Sequence, residues 1–162
     1  MKSAIFSVAL AVATGFFAIS SASASSVKAR QQINPYYDDA NLQVFHYYGS
    51  WQHLTNRGDL DYQGTASVTL QINASFTFNI QPGQQFTIYA NKQANGGILE
   101  ISEGADEPVV YGSASLHDGS ITPTDTQAVF TSDVIERAGY ITVTNKGYDK
   151  NVVVSFDYVD IH

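Results

Sequence analysis

Phe76-Thr77-Phe78-Asn79-Ile80-Gln81-Pro82-Gly83-Gln84-Gln85-Phe86-Thr87-Ile88-Tyr89-Ala90 alternates apolar and polar side chains on both sides of a Pro-Gly pair. A period of two puts Phe76, Phe78 and Ile80 on one face of a strand, and Phe86, Ile88 and Ala90 resume that period after the break. Proline presets φ at the first central position of a turn and glycine takes the positive φ of the second. Residues 81–84 therefore read as a type II turn joining two antiparallel strands.

Working outward, the same grammar recurs. Upstream, Leu42, Val44, His46 and Tyr48 alternate with Phe45 and Tyr47, and Ala66, Val68, Leu70 and Ile72 alternate with Ser, Thr and Gln, a half-buried strand. Downstream, breaks at residues 95–97, 104–108, 117–119 and 145–147 separate short apolar runs. The last run, residues 152–161, is rich in β-branched and aromatic residues and reads as one strand near the middle of a sheet. No window keeps a helical period for three turns; residues 133–138 are expected to form one helical turn. Breaks every 8 to 12 residues in an alternating chain predict an all-β, antiparallel β-sandwich of eight or nine strands, wired as a jelly roll or Greek key.

The run of residues 76–88, followed by Gly97-Ile98-Leu99-Glu100-Ile101 and Ala138-Gly139-Tyr140-Ile141-Thr142-Val143-Thr144-Asn145, resembles the strand grammar of bacterial prepeptidase C-terminal modules and similar jelly-roll accessory domains over roughly residues 65–160. The resemblance implies a non-catalytic appendage that aids binding or secretion, often with calcium. No partner enzyme accompanies it in this chain.

The chain has 162 residues. Lys2, an apolar run over residues 4–19 and the small residues Ala22-Ser23-Ala24 read as an export signal cleaved after Ala24. Residues 25–40 follow as an N-terminal arm or first edge segment, and residues 41–162 as the sandwich domain. The expected location is secreted, extracellular or periplasmic. Removing residues 1–24 takes away one of eight basic residues and none of fifteen acids, leaving a net charge of −8. Nucleic acid is excluded as a partner, because neutralising phosphates requires clustered Lys and Arg. The absence of cysteine excludes disulfides, thiolate metal sites and a Cys nucleophile, so packing alone must hold the fold.

Catalytic patterns are missing. His46, His53, His117 and His162 have no metal-ligand spacing, and His46 is expected to be packed among core positions. There is no G-x-S-x-G elbow, and Ser115, His117 and Asp118 are sequence neighbours without the loop separation of a triad. The chain is read as a non-enzyme.

Two stretches carry binding chemistry. From Asp59 the sequence matches the start of a calcium loop, with Asp59, Asp61 and Gln63 at the first, third and fifth positions and Gly64 at the sharp turn. The twelfth position is Leu70, so this is no EF-hand, and a half-loop would need acids from a neighbour such as Asp38, Asp39 or Asp118. The same stretch holds Arg57-Gly58-Asp59, the tripeptide of some integrin ligands. The second stretch is aromatic: Tyr36, Tyr37, Phe45, Tyr47, Tyr48 and Trp51 fall within 16 residues. Tyrosine and tryptophan offer a flat apolar face with a polar edge, suited to stacking on sugar rings and also to the headgroup level of a membrane. Tyr36, Tyr37, Tyr48 and Trp51 are the candidate ligand-binding residues. Asn73-Ala74-Ser75 is a glycosylation acceptor if the source is eukaryotic.

The sequence expectation is thus a secreted binding protein that recognises carbohydrate or another cell-surface component, with calcium as a candidate ion and a plain solvated hairpin loop as the alternative at Asp59. An assembly subunit of a matrix or fibre, self-associating through open sheet edges, is a second class, and a membrane-active toxin that contacts but does not span the bilayer is a third.

Overall fold

The computed structural model describes residues 36–104, 108–119, 122–147, 149 and 151–162, so the expected export signal and most of the expected arm lie outside the described residues. Twelve strands are present among them: β1 (Tyr36–Asp38), β2 (His46–Tyr48), β3 (Gln52–Leu54), β4 (Ala66–Thr69), β5 (Ser75–Ile80), β6 (Phe86–Ala90), β7 (Ile98–Glu103), β8 (Val109–Ser115), β9 (Gln127–Thr131), β10 (Gly139–Asn145), β11 (Val154–Phe156) and β12 (Tyr158–Ile161). They form a five-stranded sheet, β2-β5-β10-β7-β8, a four-stranded sheet, β1-β12-β6-β9, and a three-stranded sheet, β11-β4-β3. Every strand pair is antiparallel. The fold is an all-β antiparallel sandwich, as alternation predicts.

The core forms where the inward faces meet. Phe76, Phe78 and Ile80 of β5, Leu99 and Ile101 of β7, and Ile141 and Val143 of β10 are buried against Phe86 and Ile88 of β6, Phe156 of β11 and Val159 of β12. Phe76 stacks on Phe156 with ring centroids 4.0 Å apart, and Phe78 meets Phe86 edge-on at 5.3 Å. Aromatic side chains bury the most apolar area per residue, and here they replace the staples a cysteine-free chain lacks.

The Pro-Gly turn is present. Gly83 has φ +84° and the Gln84 N–H donates to the Gln81 carbonyl at 3.2 Å. The expected pairing across it is not: β5 belongs to the five-stranded sheet and β6 to the four-stranded one. The turn is a corner between layers. It is braced by residues 133–138, which are not helical: the Gly83 N–H donates to the Ile135 carbonyl and the Ile135 N–H to the Gln84 carbonyl, both at 2.8 Å. Buried Ile135 pins this strap to the core, so tertiary packing overrides its local helical preference.

Residues 152–161 also differ from expectation. They are two strands in two sheets, parted at Asp157, whose N–H donates to the Tyr89 carbonyl and whose carbonyl accepts from the Asp39 N–H. This division, with the three-residue strands before residue 55, raises the strand count above eight or nine. Tyr36–Asp38, at the end of the expected arm, is an edge strand on β12. In β4 the expected alternation is lost: Ser67 and Thr69 are buried along with Ala66, while Leu70 and Ile72, beyond its end, are exposed. Burial is tolerated there because both hydroxyls have partners, Ser67 on Asp39 and Thr69 on the Ser50 carbonyl. His46 is exposed rather than packed, since Phe45 and Tyr47 supply the inward face.

Candidate functional site

The four candidate aromatics go to four places. Tyr36, on the edge strand β1, joins a cluster with Tyr62 and Tyr158, and Tyr158 stacks on Tyr89 at 4.2 Å. Tyr37 is half-buried against the core beside Val44 and Ile161. Trp51 is wedged edge-on against Tyr47 and Phe76, and its indole N–H donates to the Tyr48 and Ser75 carbonyls. One side of Trp51 lines a groove of about 670 Å³ over Val68, Leu70 and Val153. Tyr48 lies on the outer face of the five-stranded sheet, 57% exposed.

Tyr48 has a counterpart that the sequence reading did not single out. In β10, Ile141 and Val143 point into the core, so period two turns Tyr140 outward, and it too is 57% exposed. The two tyrosines flank a cleft of about 380 Å³ lined by His46, Tyr48, Thr77, Gly104, Tyr140 and Thr142. Register builds its floor. His46 of β2 stands opposite Thr77 of β5, and Thr77 opposite Thr142 of β10, so one imidazole and two hydroxyls cross the sheet in a row. Tyr48 pairs with Ser75 and Tyr140 with Asn79, which sets the rings on a diagonal of two strands by four residues. Among the described residues no lining side chain is a carboxylate, ammonium or guanidinium. The cleft can stack apolar ring faces and hydrogen-bond hydroxyls.

The expected calcium half-loop folds as two single turns of 3-10 helix, Gly58–Leu60 and Tyr62–Gly64, with Gln63 at φ +54°. Asp59 and Gln63 are exposed. The Asp61 carboxylate is buried and occupied: Oδ2 accepts from Arg57 Nε at 2.6 Å and Oδ1 from Asn91 Nδ2 at 2.7 Å. The same ion pair removes Arg57 from any displayed Arg-Gly-Asp tripeptide.

A different trio converges. Asp38, Asp39 and Asp157 each bring one carboxylate oxygen within 4.8 Å of the others. Asp118 is not among them. The Asp39 carboxylate accepts from Thr65 at 2.6 Å and from Ser67; Asp157 accepts from the Tyr62 N–H at 2.9 Å and from the Thr126 hydroxyl. The Thr65 hydroxyl also lies 2.9 Å from Asp38, and its single proton serves one carboxylate at a time. Asp39 and Asp157 are fully buried. Burial, reinforced by Asp61 and Asp39, pushes the Asp157 carboxyl up to about 7 against the donors Thr126 and Tyr62. Asp38 and Asp39 are raised as well, chiefly by burial. The nearest ionisable base to Asp39 is His53, 3.9 Å away. The cluster therefore holds more negative charge than its surroundings compensate. Asp157 was missed in the sequence because a continuous last strand would have turned it to solvent; its signal is a lone acid inside Val152-Val153-Val154-Ser155-Phe156-Asp157-Tyr158-Val159.

No family model matches the chain, and no curated protein matches it. Solved structures do. CsCBM6-3 from Clostridium stercorarium, in complex with cellobiose, superposes with TM-score 0.54 at 16% identity over 78% of this chain and 91% of that one. A β-1,3-glucan-binding CBM6 from Bacillus halodurans gives 0.56 at 10% identity, over 78% and 94%. The carbohydrate-binding module CBM36 in complex with calcium and xylotriose gives 0.51 at 15% identity, over 78% and 98%. The fold is shared with these modules. At such low identity the likeness speaks for the architecture alone, so any function must be argued from the cleft and the cluster.

Proposed function

We propose that this protein is a secreted, non-catalytic carbohydrate-binding protein that holds a neutral oligosaccharide on the outer face of the five-stranded sheet. The observation that carries this reading is the cleft between Tyr48 and Tyr140, with exposed rings at both ends and His46, Thr77 and Thr142 across the floor. The rings stack on the C–H faces of pyranose units while the hydroxyls and the imidazole bond sugar hydroxyls. A cleft with no formal charge among its described lining residues, on a chain of net charge −7, favours neutral sugars over anionic ones. The neighbours' ligands, cellobiose, β-1,3-glucan and xylotriose, supply the first probes.

Calcium fits the carboxylate trio better than the half-loop at Asp59, Asp61 and Gln63, because Asp61 is committed to Arg57. Calcium takes six to eight oxygen ligands, and Asp38, Asp39 and Asp157 would supply carboxylates to a hard cation whose charge relieves their mutual repulsion. In this reading the ion ties β1 to the junction of β11 and β12 and orders the fold, away from the sugar cleft.

The test is a glycan array followed by titration calorimetry with cello-, xylo- and β-1,3-gluco-oligosaccharides, run with calcium and with chelator. Tyr48→Ala and Tyr140→Ala should each weaken binding by at least about tenfold, ~1.4 kcal/mol. Unchanged affinity in both variants would refute the cleft, and a blank array on folded protein would refute the sugar.

A further inference from the structure

Among the described residues the three sheets expose six edges of unequal length. β1, β2, β3 and β11 have three residues each and β9 has five, whereas β8 has seven. Brevity protects most of these edges, because a short row of N–H and C=O groups cannot template another strand. β8 lacks that protection and has few substitutes. It pairs only with β7, and residues 108–116 contain no charged side chain. Val109, Val110 and Tyr111 are 62%, 55% and 36% exposed, and exposed Val134 continues the apolar surface across a cleft shared with Glu136 and Arg137. The register slip that sets Gly112 opposite Ile101 and Val110 opposite Ser102 makes Tyr111 a bulge, and Pro108 caps the head of the strand; neither shortens the row that follows.

We propose that β8 is the contact through which two copies of this chain associate, edge to edge and antiparallel about a two-fold axis near Gly112, joining their five-stranded sheets into one of ten strands. A free strand edge accepts only another extended strand. On this chain β8 itself is the longest uncharged partner on offer; every other edge gives a ladder of three to five residues. Self-pairing about a two-fold closes after two copies, whereas β8 on a different edge would propagate. Charge agrees with the register. Antiparallel pairing brings the Val109 end, where Glu136 and Arg137 sit beside Glu103, whose carboxylate accepts from the Tyr111 hydroxyl, against the partner's Ser115 end, which runs into His117 and Asp118. Arg137 then meets an acid and Glu136 an imidazole, twice by symmetry. The Tyr48–Tyr140 cleft contains no β8 residue and stays open on each copy, so one polysaccharide would meet two sites at once.

The experiment is sedimentation velocity of the full chain from micromolar to millimolar concentration. A monomer–dimer equilibrium is expected. Val110→Lys, at an exposed position, should raise the dimer dissociation constant by at least about tenfold, ~1.4 kcal/mol, with unchanged circular dichroism and melting. Arg137→Glu should weaken the dimer, and Asp118→Arg added to it should restore it; this charge swap decides the matter if Val110→Lys misfolds. A strict monomer at millimolar concentration, a dimer indifferent to these variants, or polymers that lengthen with concentration would each overturn the proposal.

Discussion

The outer face of the five-stranded sheet and the junction around Asp157 are both polar, and their polarity has opposite physics. On the sheet face, hydroxyls, an imidazole and two tyrosines stand in water with no formal charge among the described lining residues. At the junction, the Asp39 and Asp157 carboxylates are sealed from water, each already accepting hydrogen bonds, with their ionisation opposed by burial. Solvated groups like the first set cost the fold little and remain available to a ligand. Desolvated charges like the second set cost several kcal/mol unless something compensates them. In the proposed reading the two places do different work: the open face would recognise sugar, and the junction would hold the layers together and answer to ions and protons.

Breaking the junction's packing should have the largest effect. Phe156 is fully buried, stacked on Phe76 and edge-on to Phe45, one residue before Asp157. Phe156→Ala should cost about 3–5 kcal/mol, read from the denaturation midpoint, while the protein that remains folded keeps its sugar affinity. If affinity fell in proportion, the two regions would be one.

Protons give the next largest effect. The Asp157 carboxyl titrates near 7 in the fold, against an ordinary value of 3.8. Between those values the unfolded chain has released the proton and the folded chain has kept it, so stability falls as pH rises through that window and is flat below and above it. In chelator, chemical denaturation from pH 4 to pH 8 should lose up to roughly 4 kcal/mol. Asp157→Asn should flatten that profile, and calcium should restore stability at high pH in the parent but not in the variant. Asp39 and Asp38 share the cluster with Asp157 and are also raised by burial, so a residual slope of the same sign belongs to them.

How far these regions could be read in advance follows from the range of the interactions that make them. Alternation is local, and it located β5, β6 and β10 and put Phe76, Phe78, Phe86 and Ile88 inside. Pairing is not local, which is why a correctly read Pro82-Gly83 turn was assigned a hairpin although its two strands belong to different sheets. Tyr48 was legible because it stands in an aromatic-rich run; Tyr140 follows from the same period two once Ile141 and Val143 are assigned inward. The carboxylate trio was half legible. Asp38 and Asp39 are adjacent in sequence, but Asp157 joins them only because the chain changes sheet there, and no periodicity announces a change of sheet. Similarly, Ser67 and Thr69 look like solvent positions until Asp39 and the Ser50 carbonyl arrive to bond them.

The smallest expected effect is the most discriminating. Tyr36 was grouped with Tyr48 by proximity along the chain, yet the fold puts it on the edge strand beside β12, among Tyr62 and Tyr158, in the other layer of the sandwich. Tyr36 is 42% exposed, so Tyr36→Ala removes an accessible aromatic without opening the core. Stability should move by less than about 0.5 kcal/mol, as is usual for surface positions. Sugar affinity measured by calorimetry should stay within about twofold, ~0.4 kcal/mol, of the parent. A large loss of affinity in Tyr36→Ala, with Tyr140→Ala unaffected, would move the binding surface to the tyrosine cluster near the junction. Recognition would then share its scaffold with the carboxylates and inherit their dependence on pH and calcium.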